Sequence, residues 1–219
     1  MSALRRMNVP VVNLAGVPLS SNKIGSGMFG MCYRYHFGDV EKPLVIKLFE
    51  NNCSTPKVLR GILKEVTNLR SVRSIEGVPK VFAVSAVPPY GIVMSDAGTI
   101  TFRDWQLQTA RTPMEIISVV KKIAEIIANM HRQGIVHNDL HGKNIVINEE
   151  TQKPTIVDFG LAGRLGAYRY RDYMKETPKF DKDKLKGSNQ TVCSTKRTAS
   201  ASEKRFDQNT YILLDFIFR

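Results

Sequence analysis

Two carboxylates and one amide carry the chemistry available to this sequence. In His137-Asn138-Asp139-Leu140-His141-Gly142-Lys143-Asn144, Asp139 and Asn144 lie five apart on a polar stretch between a striped helix pattern and a short β-type run. Such a loop can set a carboxylate beside an attacking hydroxyl and an amide oxygen on a cation. Asp158-Phe159-Gly160 follows, directly after Ile156-Val157. A carboxylate at a strand end is a second hard oxygen ligand, and ligands of that kind suit Mg2+. Either stretch alone reads as an ordinary polar turn. Both together, in this order behind a glycine-rich loop and a strand lysine, do not read as coincidence.

The glycine-rich loop is Gly25-Ser26-Gly27-Met28-Phe29-Gly30. Its glycines let backbone N–H groups approach phosphate oxygens without a Cβ in the way. Taken alone, a glycine-rich hairpin turn is an equal explanation. Met31 to Tyr35 has strand character, so the loop caps a hairpin and does not open the helix that a dinucleotide-binding fold requires. Lys47 stands in the apolar run Pro43 to Phe49, 17 residues after Gly30. By itself it reads most simply as a solvated edge lysine. Glu65 on the next helix could hold its ammonium toward phosphate, and equally could be an exposed helix carboxylate.

These residues need elements to position them. The sequence predicts strand, turn, strand, loop and strand from Asn22 to Glu50. A helix follows from Lys57 to Val72, with Leu59, Ile62, Leu63, Val66 and Leu69 on one stripe. Two short strands lie between Val78 and Met94, broken at Pro88-Pro89 and Tyr90-Gly91. Pro113 to Arg132 carries the strongest helix signal: Thr112 as N-cap, Pro113 at the first helical position, Glu115 completing a capping box, and Gly134 as stop. Its apolar face is Ile116, Val119, Val120, Ile123, Ile127 and Met130. Short strands at Ile145–Ile147 and Thr155–Val157 flank the turn before Asp158. Residues 1–20 show no period and read as an N-terminal arm. Tyr211 to Phe218 is an apolar run that reads as a final helix.

Composition bounds the rest. The chain has 219 residues, 42% hydrophobic and 24% charged, enough to bury a core. No apolar run approaches ~18 residues, so no spanning helix and no membrane partner is expected. Met1 to Asn8 lacks the apolar stretch of a secretory signal. Cys32, Cys53 and Cys193 are odd in number and far apart, which favours free thiols in a reducing, intracellular compartment, cytoplasm or nucleus. The net charge is +12, and residues 163–206 hold 12 Lys/Arg against 5 Asp/Glu, or +7 of it. The basic segment 164–205 reads first as a flexible solvated loop. A groove for acidic peptides or a nucleic-acid contact are the less favoured alternatives.

Assembled, Gly25-x-Gly27-x-x-Gly30, Val45-Ile46-Lys47, Glu65, His131-x-x-Gly134-Ile135-Val136-His137-Asn138-Asp139, Asn144 and Asp158-Phe159-Gly160 resemble the eukaryotic-type protein kinase family. The resemblance covers residues 22–162, about two-thirds of the chain. It implies a two-lobe α+β fold: a small antiparallel-sheet lobe over 21–95, then a mainly helical, truncated lobe over 96–219. It implies ATP and Mg2+ as cofactors and transfer of the γ-phosphate to serine or threonine hydroxyls of a protein substrate. Lys47 is then expected on the α/β-phosphates, held by Glu65. Asp139 takes the acceptor proton, and Asn144 and Asp158 hold Mg2+. Gly25, Ser26, Gly27 and Gly30 line the phosphates. Cys32 and Val45 cover the adenine from above and Val146 from below. Met94 guards the back of the pocket, and Ser95-Asp96-Ala97 offers backbone groups to the adenine edge.

The departures from the family pattern are specific. Asn138 stands where the family places an arginine that binds a phosphorylated activation segment, so activity is expected not to need that phosphorylation. His141 replaces the lysine of serine/threonine kinases, and Lys143 could supply the missing charge on the γ-phosphate or be a solvated loop lysine. The His141 loop also resembles aminoglycoside and choline phosphotransferases, which keeps a small-molecule acceptor open, as the short chain keeps open an ATP-binding scaffold without turnover. Phe206-Asp207-x-x-x-Tyr211 resembles the start of the helix that anchors the catalytic loop. The reduced second lobe resembles minimal kinases of the RIO type and viral kinases, and the apolar Tyr211 to Phe218 run suggests a covering partner.

Overall fold

The structure is a computed structural model, and it describes residues 8–18, 23–27, 30–36, 43–49, 54–108 and 111–165. These belong to one unit, Met1–Leu165; the second, Gly166–Arg219, lies outside the described residues. So do the Ser/Thr-rich stretch, Asp207, the Tyr211–Phe218 run, Cys53, Cys193 and nearly all of the basic segment.

Five antiparallel strands form the first sheet: β1 (Lys23–Gly27), β2 (Gly30–Tyr35), β3 (Leu44–Leu48), β4 (Val81–Ser85) and β5 (Gly91–Ser95), in the order β1-β2-β3-β5-β4. β1 and β2 pair through Gly27 and Gly30, so the glycine-rich loop caps a hairpin, as its flanks predict. Helix α1 (Thr55–Ser71) covers one face. It buries Val58, Ile62, Val66 and Leu69 at helical spacing, and Glu65 and Asn68 sit on that same buried side. Val58, Ile62 and Val66 meet Val45, Val84, Ile92 and Met94 of the sheet.

The opposite face of the sheet is closed by the N-terminal arm. Leu14 is buried with Ile46, Ala83 and Val93. Val12 N–H donates to the Val84 carbonyl and Val84 N–H to the Pro10 carbonyl, each at 2.9 Å, so the arm bridges in parallel onto β4. This explains why Pro43 to Phe49 reads as a continuous apolar run. A strand buried on both faces has no need to alternate.

Beyond β5 come β6 (Ile100–Thr101), α2 (Phe102–Gln106) and α3 (Pro113–Arg132). The Thr112–Glu115 capping box forms in full. α3 buries Val119, Ile123, Ile126 and Met130, so Ile126 and not Ile127 completes the inner stripe. β7 (Ile135–Val136), a 3-10 turn at Gly142–Asn144, β8 (Ile145–Asn148), β9 (Lys153–Ile156) and β10 (Gly163–Arg164) follow. β6, β8 and β9 make one small sheet, and β7 pairs with β10. The loop bearing Asp139 thus leaves β7 and returns into β8, while β9 delivers the chain to Asp158. Val157 N–H donates to the Asn144 carbonyl at 2.9 Å and ties the two ends together.

Candidate active site

Lys47 lies on the α1 side of β3, and Glu65 faces it from the helix. Lys47 Nζ donates to Glu65 Oε1 at 2.8 Å and Oε2 at 2.9 Å, and to Asp158 Oδ1 at 2.7 Å. Lys47 and Glu65 are both buried. Burial works to lower the Lys47 pKa, but the Glu65 and Asp158 carboxylates outweigh it and hold it above its ordinary value. The ammonium is therefore permanent at neutral pH. Burial in turn pushes Glu65 up, against the pull of Lys47. A buried ammonium between two carboxylates is the configuration the sequence needed Glu65 to create; the solvated-edge reading of Lys47 does not hold here.

The second cluster sits on the β7–β8 loop. Asn144 is buried, and its Nδ2 donates to the Asp139 carbonyl at 2.9 Å and to Asp139 Oδ2 at 3.0 Å. His141 Nε2 lies 3.1 Å from the same nitrogen and 3.8 Å from Asp139 Oδ2. With its donor side spent on the loop, Asn144 keeps Oδ1 without a hydrogen bond among the described residues. Lys143 is exposed in the 3-10 turn, and no hydrogen bond or ion pair is seen for it among the described residues. His141, and not Lys143, touches the Asp139–Asn144 pair.

His137 fastens the loop from below. Its Nε2–H donates to the Val157 carbonyl at 2.9 Å, and its Nδ1 accepts from the Asp139 N–H at 3.3 Å. Burial lowers its pKa, which suits a neutral ring using one nitrogen each way. Phe159, fully buried, meets that ring edge-on with centroids 5.0 Å apart. Asp158 itself takes a positive φ of 63° and Asn138 one of 64°. Asp and Asn tolerate this region better than other non-glycine residues, but it still needs outside support.

The remaining sequence candidates fall around these clusters. Cys32 is cross-strand neighbour to Lys47, and Val45 to Met94. Cys32, Val45 and Met94 pack in one apolar cluster, and burial pushes the Cys32 thiol up to about 11. Ala97 is half-buried on the link between β5 and β6, and Val146 is half-buried on β8. Gly30 has φ 148°, and a Cβ there would lie 1.8 Å from the Leu48 carbonyl oxygen. Gly25 is exposed, with nothing within 4 Å of an added Cβ. Ser26 is exposed on β1, beside Gly27.

Two arrangements lie beyond the motifs. Arg34 Nε donates to Asp96 Oδ2 at 2.5 Å, and its Nη2 to the Gly98 carbonyl at 2.6 Å, so β2 is pinned to the β5–β6 link. Asn68 reaches from α1 to the chain after Asp158. The only sequence trace of Asn68 is a polar residue on an otherwise apolar helix stripe.

The family model described as "Protein kinase domain" matches residues 19–183. The chain belongs to the protein kinase family. It is 24% identical over 169 residues to serine/threonine-protein kinase nekl-2 of Caenorhabditis elegans, covering 72% of this chain and 47% of that one. It is 30% identical over 146 residues to putative serine/threonine-protein kinase L673 of Acanthamoeba polyphaga mimivirus, with coverages of 64% and 25%. With the Raf homolog serine/threonine-protein kinase of C. elegans it shares 28% over 143 residues, covering 64% and 17%. The chain spans less than half the length of these curated relatives.

Kinase-family membership carries the use of ATP with a divalent cation, and the side chains present fit both. Asp158 and the open Asn144 Oδ1 are hard oxygen donors on adjoining segments. Lys47 carries a fixed positive charge that could meet phosphate, and Cys32, Val45 and Met94 form an apolar cluster that could meet a base. Among the described residues no three His, Cys, Asp or Glu side chains form a metal cluster of their own. No helix among these residues is long and apolar enough to cross a membrane.

Proposed function

We propose that this chain is the catalytic domain of an ATP-dependent serine/threonine protein kinase that works with Mg2+ and acts on protein hydroxyls inside the cell. The observation that carries the reading is the linked set Glu65–Lys47–Asp158 beside Asp139–Asn144, assembled from four separate elements. The names of the relatives favour a protein acceptor over a small molecule. The free, half-buried Cys32 thiol fits a reducing compartment.

ATP would supply the transferred phosphoryl group, and Mg2+ held by Asn144 and Asp158 would supply positive charge against the phosphate oxygens. Lys47 holds phosphate oxygens with an ammonium that cannot discharge at neutral pH. Glu65 keeps that ammonium aimed. Asp139 is anchored through one oxygen to Asn144 and presents its carboxylate to the acceptor hydroxyl. It takes that proton as the new oxygen–phosphorus bond forms and the bond to ADP breaks. The work is alignment and charge placement, which is what phosphoryl transfer chiefly needs. Asn138 Nδ2 donates to the Leu161 carbonyl at 3.2 Å, a backbone contact that needs no phosphate.

The test uses γ-labelled ATP, Mg2+ and casein, with unphosphorylated protein made in bacteria. Wild type should transfer label without a partner kinase. Asp139→Ala, partly exposed and cheap to fold, should lose transfer at least ~100-fold, and Lys47→Met should do the same. Equal transfer by Asp139→Ala and wild type, or wild type that neither retains nucleotide nor transfers, would refute the reading.

A further inference from the structure

Helix α1 is joined to the chain around Asp158 twice. One joint is ionic, through Lys47. The other is a buried amide. Asn68 Nδ2 donates to the Phe159 carbonyl at 3.1 Å and to the Ala162 carbonyl at 2.8 Å. Asn68 lies three residues after Glu65 on the same helix, so both residues project from one face. The turn it grips is closed internally by Ala162 N–H to the Phe159 carbonyl at 3.2 Å. Asn138 Nδ2 holds the intervening Leu161 carbonyl. Gly163 then enters β10 opposite Val136. The carbonyls of residues 159, 161 and 162 are thus each bonded to an asparagine amide within a few residues of Asp158.

We infer that Asn68 is a positioning residue for phosphoryl transfer, acting through Asp158. Asp158 occupies left-handed backbone, a conformation that persists in a non-glycine residue only where the surroundings over-determine it. Asn68 supplies that support on the side facing α1. It also makes the placement of Asp158 conditional on the placement of Glu65, because one rigid helix carries both Glu65 and the amide. A helix that shifts away from the sheet lets go of Lys47 and of the 159–162 turn together. The amide suits this task. It has two N–H donors for two backbone carbonyls, carries no charge into a buried site, and is too short to reach solvent instead. An apolar residue of similar size would fill the space and leave both carbonyls without that partner.

This inference rests on the kinase reading for its activity arm, and a second arm is independent of it. In Asn68→Leu, kcat for casein phosphorylation should fall ~10–100-fold while KM for ATP stays within about threefold, the pattern of a displaced reacting group with its binding contacts kept. Hydrogen exchange should speed up at the amides of residues 159–163, while the amides of α3 keep wild-type protection. Asn68→Asp, which turns acceptors toward the two carbonyls, should lose more on both measures than the leucine variant. Unchanged exchange at 159–163 in Asn68→Leu would overturn the inference, whatever the activity. So would a uniform loss of protection that includes α3, or kcat and KM failing together with thermal stability, since those mark a merely structural residue. Should wild type transfer no phosphate at all, the kinase reading falls, and the exchange experiment alone decides what Asn68 does.

Discussion

Glycines of one motif are not interchangeable, and the residue scale shows why. Gly30 sits where a Cβ would strike the Leu48 carbonyl oxygen at 1.8 Å, on backbone that side chains avoid. Gly25 faces open space. Gly30→Ala should therefore cost at least ~1–3 kcal/mol of stability, read by urea unfolding, because strand β2 must move away from β3. Gly25→Ala should leave the urea midpoint near wild type and raise KM for ATP, because only a close-lying phosphate would feel the new methyl. A matched stability loss in both variants would show that the loop is a structural turn and no more. The same contrast governs the lysine. Its position in an apolar strand was legible, but its use was not, since only the partner across the fold separates a buried ammonium from a solvated one.

Elements were most legible where local rules suffice. The Thr112–Glu115 box and the apolar stripe of α3 are written within 20 residues, and the helix begins and ends where they say. Thr112→Ala should cost about 1 kcal/mol, the usual worth of an N-cap, measured by thermal or urea unfolding. The arm and the two-residue strands were not legible. Val11 makes a single bridge to Val84, and β6, β7 and β10 have two residues each, too few for any period to show. Yet Leu14 closes the second face of the sheet. Leu14→Ala should destabilise by about 2–5 kcal/mol, as for other buried leucines, and the loss should appear in the sheet before α3. An arm that merely leads in would tolerate the change.

Between pH 5.5 and 7.5 the described residues have a pH dependence set by the buried His137 and the half-buried His131. Burial lowers the pKa of His137, and of His131 on α3, below the ordinary value near 6.5. Their contribution to stability is complete above that value. As pH falls through it toward the folded pKa values, the unfolded chain takes up protons that the fold refuses, and stability declines. Urea unfolding at pH 7.5 and pH 5.5 should give the lower stability at pH 5.5, and His137→Gln should flatten the difference. A pH-independent stability over that interval would contradict the buried, neutral His137 that orients Asp139.

Taken by itself, the sequence determined the family and singled out Lys47, Glu65, Asp139, Asn144 and Asp158 as candidates for the chemistry, because spacing along the chain preserves an order of motifs even where each motif is weak. It also determined α3 and the hairpin under the glycines, since caps, stripes and turns are local. Only the tertiary structure decided which partner each side chain meets. It chose His141 over Lys143 as the neighbour of Asn144, gave Asn68 its two carbonyls, and turned an unpatterned arm into the cover of a sheet. Those outcomes depend on residues that are up to 94 positions apart, and no local propensity encodes a distance that only the packed core can close.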